Sequence, residues 1–267
     1  MKSVRILLLV SIAITGLRTT TLGQMTTSAA PRQTVSANSM LLACEQTMSG
    51  QGADRSFYAE GEIALAGDSS PSQHIVWKTK GRDLFRQEVT QGEDTTVSIV
   101  NRGHGSRNRK SHRTNLPEHA TAYFRPEYIP ALSCTIDHGR AGMVAEYIGQ
   151  EVIAGETADH IRFTMAPNGK DRNVDEMEKI ISEYHVFIST VNHRVLATRS
   201  WIFSPEAVQN HSSWETFFTD YRDVNGVLMP FHIENRLNGQ KVRDIVLSAV
   251  REDASISDGD FQEGAAQ

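Results

Sequence analysis

Ten histidines, two cysteines and one run of five basic residues are the side chains whose types and spacing could carry chemistry here. Clustered histidines could bind a metal or relay a proton. The distribution argues against it. His104, His112 and His119 flank the basic run, His185 and His193 lie across a turn, and His160 and His232 fall on outward strand faces. No ligand spacing repeats and no His is followed by Glu, so HExxH is absent and no metal site is expected. There is no GxSxG elbow and no Ser three residues before a Lys. Gly103-His104-Gly105 lacks the third glycine of a dinucleotide loop, and Gly169-Lys170 is followed by Asp171 rather than Ser or Thr. No catalytic residue and no cofactor are expected.

The basic run is Asn101–Asn115, with Arg102, Arg107, Arg109, Lys110 and Arg113 and no acid between them. Two readings stand: an anion contact to phosphate groups through charge-assisted hydrogen bonds, or a solvated hairpin loop. The chain as a whole is mildly acidic, at formal charge −5, which argues against a nucleic-acid partner.

The elements that must position these groups read mainly as β. Ser36 or Asn38 can cap a helix that carries Met40, Leu41, Cys44 and Met48, before Gly50 and Gly52. From Ser56 the period becomes two. Phe57, Ala59, Gly61, Ile63 and Leu65 share one face, and Ile75 and Trp77 alternate with His74, Val76 and Lys78. Further strands are expected at 84–89, 95–100, 143–152, 181–190, 194–203, 214–221 and 242–250, and around Phe163-Met165 and Phe231-Ile233. Asn225-Gly226 and Asn238-Gly239 are hairpin turns. About ten strands on short turns mean one antiparallel sheet with few helices, since βαβ crossovers are missing. Asn101–Asn115 and Asn168–Met177 are expected as loops, and the segment holding Tyr123, Phe124, Tyr128, Ile129 and Leu132 as a crossover over one face. Phe261 is expected as an apolar pin of the polar 253–267 end.

Residues 1–23 have the make-up of a signal peptide: Lys2 and Arg5, then a dozen mostly apolar residues, then Thr21 and Gly23 as small residues before Gln24. Removing them takes Lys2, Arg5 and Arg18 and no acid, which shifts the charge from −5 to −8. Residues 24–37 read as a flexible lead-in, 38–261 as one domain and 262–267 as a disordered tail. No later apolar run approaches a membrane span. Export, to the periplasm or beyond, permits disulfides. Cys44 and Cys134 are the only pair, either bridged or two buried thiols.

Several stretches resemble one family. They are Tyr221–Ile233 (YRDVNGVLMPFHI), Leu237-Asn-Gly-Gln, the end near Ser257–Phe261, Leu41–Gly50, Tyr147–Gly155 with His160-Ile-Arg, and Tyr128–Leu132. Together they are similar to the LolA-like superfamily of outer-membrane lipoprotein-sorting proteins and related exported bacterial proteins, over residues 38–261. The resemblance implies a curved antiparallel half-barrel with helices over an apolar concave face, and the carriage of a lipid or acylated lipoprotein without catalysis. In that picture Phe57, Ile63, Leu65, Ile75, Trp77, Phe163, Met165, Phe231 and Ile233 line the cavity. Leu41, Met48, Tyr128, Ile129 and Leu132 form the lid. The same residues would also fill an ordinary packed β core. An envelope protein partner, bound by a sensing module on the same scaffold, is the other function the superfamily implies.

Overall fold

The structure is a computed structural model that describes residues 36–48, 55–67, 72–81, 83–110, 112–116, 121, 127–135, 142–169, 171–204 and 207–262. The expected signal segment 1–23, most of the lead-in, Gly50, Gly52, Tyr123, Phe124 and residues 263–267 lie outside them.

Helix α1, Ala37–Met48, forms as the spacing of its apolar residues requires: Ala37, Leu41, Cys44 and Met48 fall on one buried face. The Ser36 carbonyl accepts the first turn's bond from Ser39 N at 3.1 Å. Thirteen strands follow: β1 Phe57–Leu65, β2 Gln73–Lys80, β3 Leu84–Gln91, β4 Asp94–Asn101, β5 His104–Arg109, β6 His112–Leu116, β7 Met143–Ile153, β8 Glu156–Met165, β9 Tyr184–Ser189, β10 Val195–Ser204, β11 Ala207–Val224, β12 Val227–Leu237 and β13 Gln240–Glu252. A second helix, α2, spans Arg172–Ile181, and short 3-10 turns lie at Pro130–Thr135 and Asp258–Phe261.

The strands make one antiparallel sheet in the order β6-β5-β4-β3-β2-β1-β13-β12-β11-β10-β9-β8-β7. Two meanders meet where β1 pairs with β13, and the sheet is not closed. Flat, twelve strand spacings would span about 58 Å. Yet Tyr128 stacks on Phe85 of β3 while Ser133, only five residues on, meets Tyr184 of β9, seven strands away. Only a strongly curved sheet brings its two ends around a common core, so the mainly-β half-barrel expected above is what forms. Gly61 sits at a register shift between β1 and β13, and a Cβ there would stand 2.3 Å from the Val246 carbonyl oxygen. That close approach lets the two meanders join.

The turns follow their chemistry. Asn225-Gly226 and Asn238-Gly239 have positive φ at both residues, as type I′ hairpins require. Arg102-Gly103 makes the same kind of turn between β4 and β5 with φ of 48° and 88°. This corrects the expectation of a loop over Asn101–Asn115, which is instead the hairpin β5–β6 at the sheet edge. β5 reads HGSRNR and holds no apolar residue, so period-two hydrophobicity could not reveal it. The loop expected at Asn168–Met177 is corrected too. Asp171 caps α2, accepting from Asn173 N at 2.8 Å and Val174 N at 3.4 Å. The strand expected from Ile181 begins at Tyr184, because the helix runs to Ile181 and Ser182 ends it. On the outer face, Phe261 and Ile256 pack with Leu84 and Ile99, and Lys78 and Lys80 pair with Asp260 and Asp258 at 2.8 and 2.7 Å.

Candidate functional site

The concave face is lined by alternate residues of the strands, and its cover is not a second sheet. It is α1 together with the Pro130–Thr135 turn. Cys44 and Cys134 form a disulfide between these two pieces, with Cα atoms 5.8 Å apart. Leu41, Met48, Tyr128, Ile129 and Leu132, the residues expected as a lid, are all buried in the cluster that the cover makes with the sheet. Tyr128 stacks on Phe85 with ring centroids 5.4 Å apart and leans on Trp77 at 6.0 Å. Its hydroxyl accepts a hydrogen bond from Gln87, and burial drives its pKa upward. Ser133 and Tyr184 hydroxyls meet at 2.9 Å.

Of the nine residues expected to line a cavity, Phe57, Ile63, Ile75, Trp77, Phe163, Phe231 and Ile233 are buried together in that same cluster. Met165 packs at its margin, and Leu65 is 39% exposed at the end of β1. They are therefore gathered on one face, with the cover closed over them. Two donors beneath it are left over. Trp77 Nε1 and Thr79 Oγ1, two residues apart on the concave side of β2, are buried without a hydrogen-bond partner among the described residues.

A cleft of about 330 Å³ opens beside the cover, with Ile63, Leu65 and Val89 on one wall and Arg107, Arg109 and Arg243 among its polar residues. Residues expected separately as apolar lining and as anion contacts thus meet in one place. Arg102, Lys110 and Arg113 do not join them. Arg102 pairs with Asp258 at 3.1 Å, Lys110 pairs with Asp94 at 2.7 Å, and Arg113 lines a second hollow of about 890 Å³. Arg243 was not foreseen. It crosses from β13 to pair with Glu127 and donates to Asn235 Oδ1 at 2.6 Å, while its guanidinium lies over Trp214 at 5.3 Å. The signal in the residues was weak: one charged side chain at an inward position of an alternating strand.

On the opposite face, β8 and β9 bring His160 and His185 together, with Nε2 and Nδ1 at 2.7 Å. Glu151 of β7 stands 2.7 Å from His160 Nδ1, and Glu183 stands 2.8 Å from His185 Nε2. Trp201 of β10 donates to the same Glu183 oxygen at 3.0 Å, and Arg162 and Arg199 add positive charge nearby. Burial pushes both imidazoles below their ordinary range; His185 adds to this at His160, and Glu183 opposes it at His185. A second full protonation of the pair would leave the His–His bond without an acceptor. The unfolded chain takes up protons near pH 6.5 that the native pair refuses, so stability falls as pH drops below about 6.5. Urea melts at pH 7.5 and 5 should show that loss, and should show less of it in His160→Gln. Level stability over this interval contradicts the assignment.

Among the described residues no group of three or more His, Cys, Asp or Glu is placed to hold a metal ion, and no helix is long and apolar enough to cross a membrane.

No family model and no curated protein matches the chain. Solved structures do. A LolA superfamily protein from Nitrosomonas europaea is 13% identical at a TM-score of 0.55, covering 86% of this chain and 98% of that one. A domain named for outer-membrane lipoprotein sorting, from Vibrio parahaemolyticus, is 10% identical at 0.55, over 84% and 95%. A DUF1329 family protein from Desulfovibrio piger is 12% identical at 0.56, over 86% and 98%. Thirteen antiparallel strands bent around one apolar face, under a small helical cover, therefore give this chain the LolA-like fold.

Proposed function

We propose that the chain is an exported, non-enzymatic binding protein that carries a lipid or a lipoprotein acyl chain on its concave face, in the bacterial periplasm. The signal-like segment 1–23 supports the compartment. The name of the Vibrio domain, which speaks of lipoprotein sorting, supports the class of ligand.

The observation that carries the reading lies under the cover. A core built only for stability satisfies its buried donors. Among the described residues Trp77 Nε1 and Thr79 Oγ1 have no partner, as have Arg162 Nε and Arg194 Nε elsewhere, and the two on β2 sit side by side at a cost of about 1–3 kcal/mol each. The ester carbonyl of an acyl chain lying along β2 would accept from them. Tyr128, just before the short turn, packs over that strand at Trp77, and the cover of one helix and one short turn can part from the sheet without breaking a strand ladder. Each CH₂ taken from water contributes about 0.8 kcal/mol, so twelve carbons bring roughly 10 kcal/mol toward displacing the cover.

The test is native mass spectrometry of the purified chain after incubation with phosphatidylglycerol vesicles. One retained lipid per chain is expected. A folded chain that stays lipid-free and captures an envelope protein instead contradicts the carrier role, and would give the scaffold a sensing one.

A further inference from the structure

The two arginines in the cleft beside the cover differ from their neighbours. Arg107 and Arg109 lie two residues apart on the concave side of β5, about 7 Å along the strand, and both are exposed. Arg107 donates to Ser98 Oγ at 3.2 Å. Neither forms an ion pair among the described residues, whereas Lys110 takes the cleft's one acid, Asp94, and Arg243 is held by Glu127. Two like charges side by side without a counter-charge repel each other, and an anion seated between them removes that repulsion. The guanidinium fork fits phosphate oxygens two at a time.

Across the cleft, three apolar side chains stand among Gln73, Gln87 and Gln91. Ile63 and Leu65 end β1, and Val89 belongs to β3. Ile63 also belongs to the buried cluster under the cover. Ile63 is thus the point where a ligand with its anionic end at Arg107 and Arg109 meets the apolar core.

We infer that this cleft is a phosphate-headgroup site, which selects amphiphiles with an anionic phosphate head over uncharged ones of the same chain length. The inference rests on the carrier reading and names its ligand class. The phosphate lies between Arg107 and Arg109, its glycerol fills the cleft beside Ile63, and the ester carbonyl reaches Trp77, which stands in register with Arg107 through Gln87 and Ser98, with the acyl chain beyond it. Because both side chains are exposed, the selectivity weakens as salt rises.

Calorimetric titration below the micelle concentration tests it, with three probes: lysophosphatidylglycerol, the monoacylglycerol of the same chain, and inorganic phosphate. The native chain is expected to bind lysophosphatidylglycerol about tenfold more tightly than the monoacylglycerol. Arg107→Gln/Arg109→Gln is expected to lose that tenfold and to keep the affinity for the monoacylglycerol. Its thermal midpoint should match the native one, since neither side chain packs in the core. Equal affinity of the native chain for the two lipids, or an unchanged preference in the double variant, overturns the headgroup site and leaves the carrier reading standing. Inorganic phosphate binding as tightly as lysophosphatidylglycerol overturns the lipid source and leaves a free-phosphate site. Failure of both lipids to bind the folded chain overturns the carrier reading, and the headgroup site with it.

Discussion

Replacing Cys44 and Cys134 together by serine is expected to lower stability by about 4–5 kcal/mol, because the bridge closes a loop of 90 residues and the unfolded chain regains that entropy. For a domain of this size that is a fall of roughly 10–15 °C in thermal midpoint. The loop it closes contains all of β1 to β6, so the crosslink ties one whole meander to the cover. The same fall should follow treatment of the native chain with a reductant. Scanning calorimetry with and without reductant measures it, and coincident traces contradict it. The two pieces of the cover, once unlinked, should also part more readily.

The second large effect is at β2. Trp77 heads the fully buried side chains by volume, and Trp77→Ala leaves a hole between β2 and Tyr128. A loss of about 3–5 kcal/mol is expected from that truncation. The neighbouring Thr79→Val should act in the opposite direction. It replaces an unpartnered buried hydroxyl with a methyl of similar size, so the empty chain should gain about 1 kcal/mol while it retains lipid less well. Urea melts with native mass spectrometry on the same samples read both quantities. If Thr79→Val destabilises the chain and leaves retention unchanged, the orphan hydroxyl has a structural role and no part in binding.

The legible parts of the fold were those in which hydrophobicity repeats. Phe57, Ala59 and Ile63 alternate because β1 has one buried face, and Leu41, Cys44 and Met48 step around one side of α1 for the same reason. The Asn-Gly pairs were legible through the positive φ they tolerate. β5 and β6 were not, since an edge strand with polar residues on both faces has no apolar period and its turns use Arg102 and Lys110 at positive φ. Helix α2 escaped because none of its residues is buried and its many charges read as loop; Asp171 two residues before Asn173 was the available cue. The apolar face of the candidate site could be listed from sequence. The cleft could not, because Arg107, Arg109 and Arg243 come together only when β5 and β13 curl toward the same opening. His160 and His185 were legible as residues but not as a pair, since strand register decides which side chains face each other across β8 and β9.

The chain has three tryptophans, and Trp77 alone lies under the cover, almost wholly shielded from solvent. In a Trp201→Phe/Trp214→Phe chain the emission reports that position only. Titration with a lysophospholipid carrying a nitroxide on the first carbons of its acyl chain, next to the ester, is predicted to quench Trp77 and to saturate at one lipid per chain. Emission that stays unquenched while the lipid binds would place the acyl chain elsewhere on the protein and contradict the account.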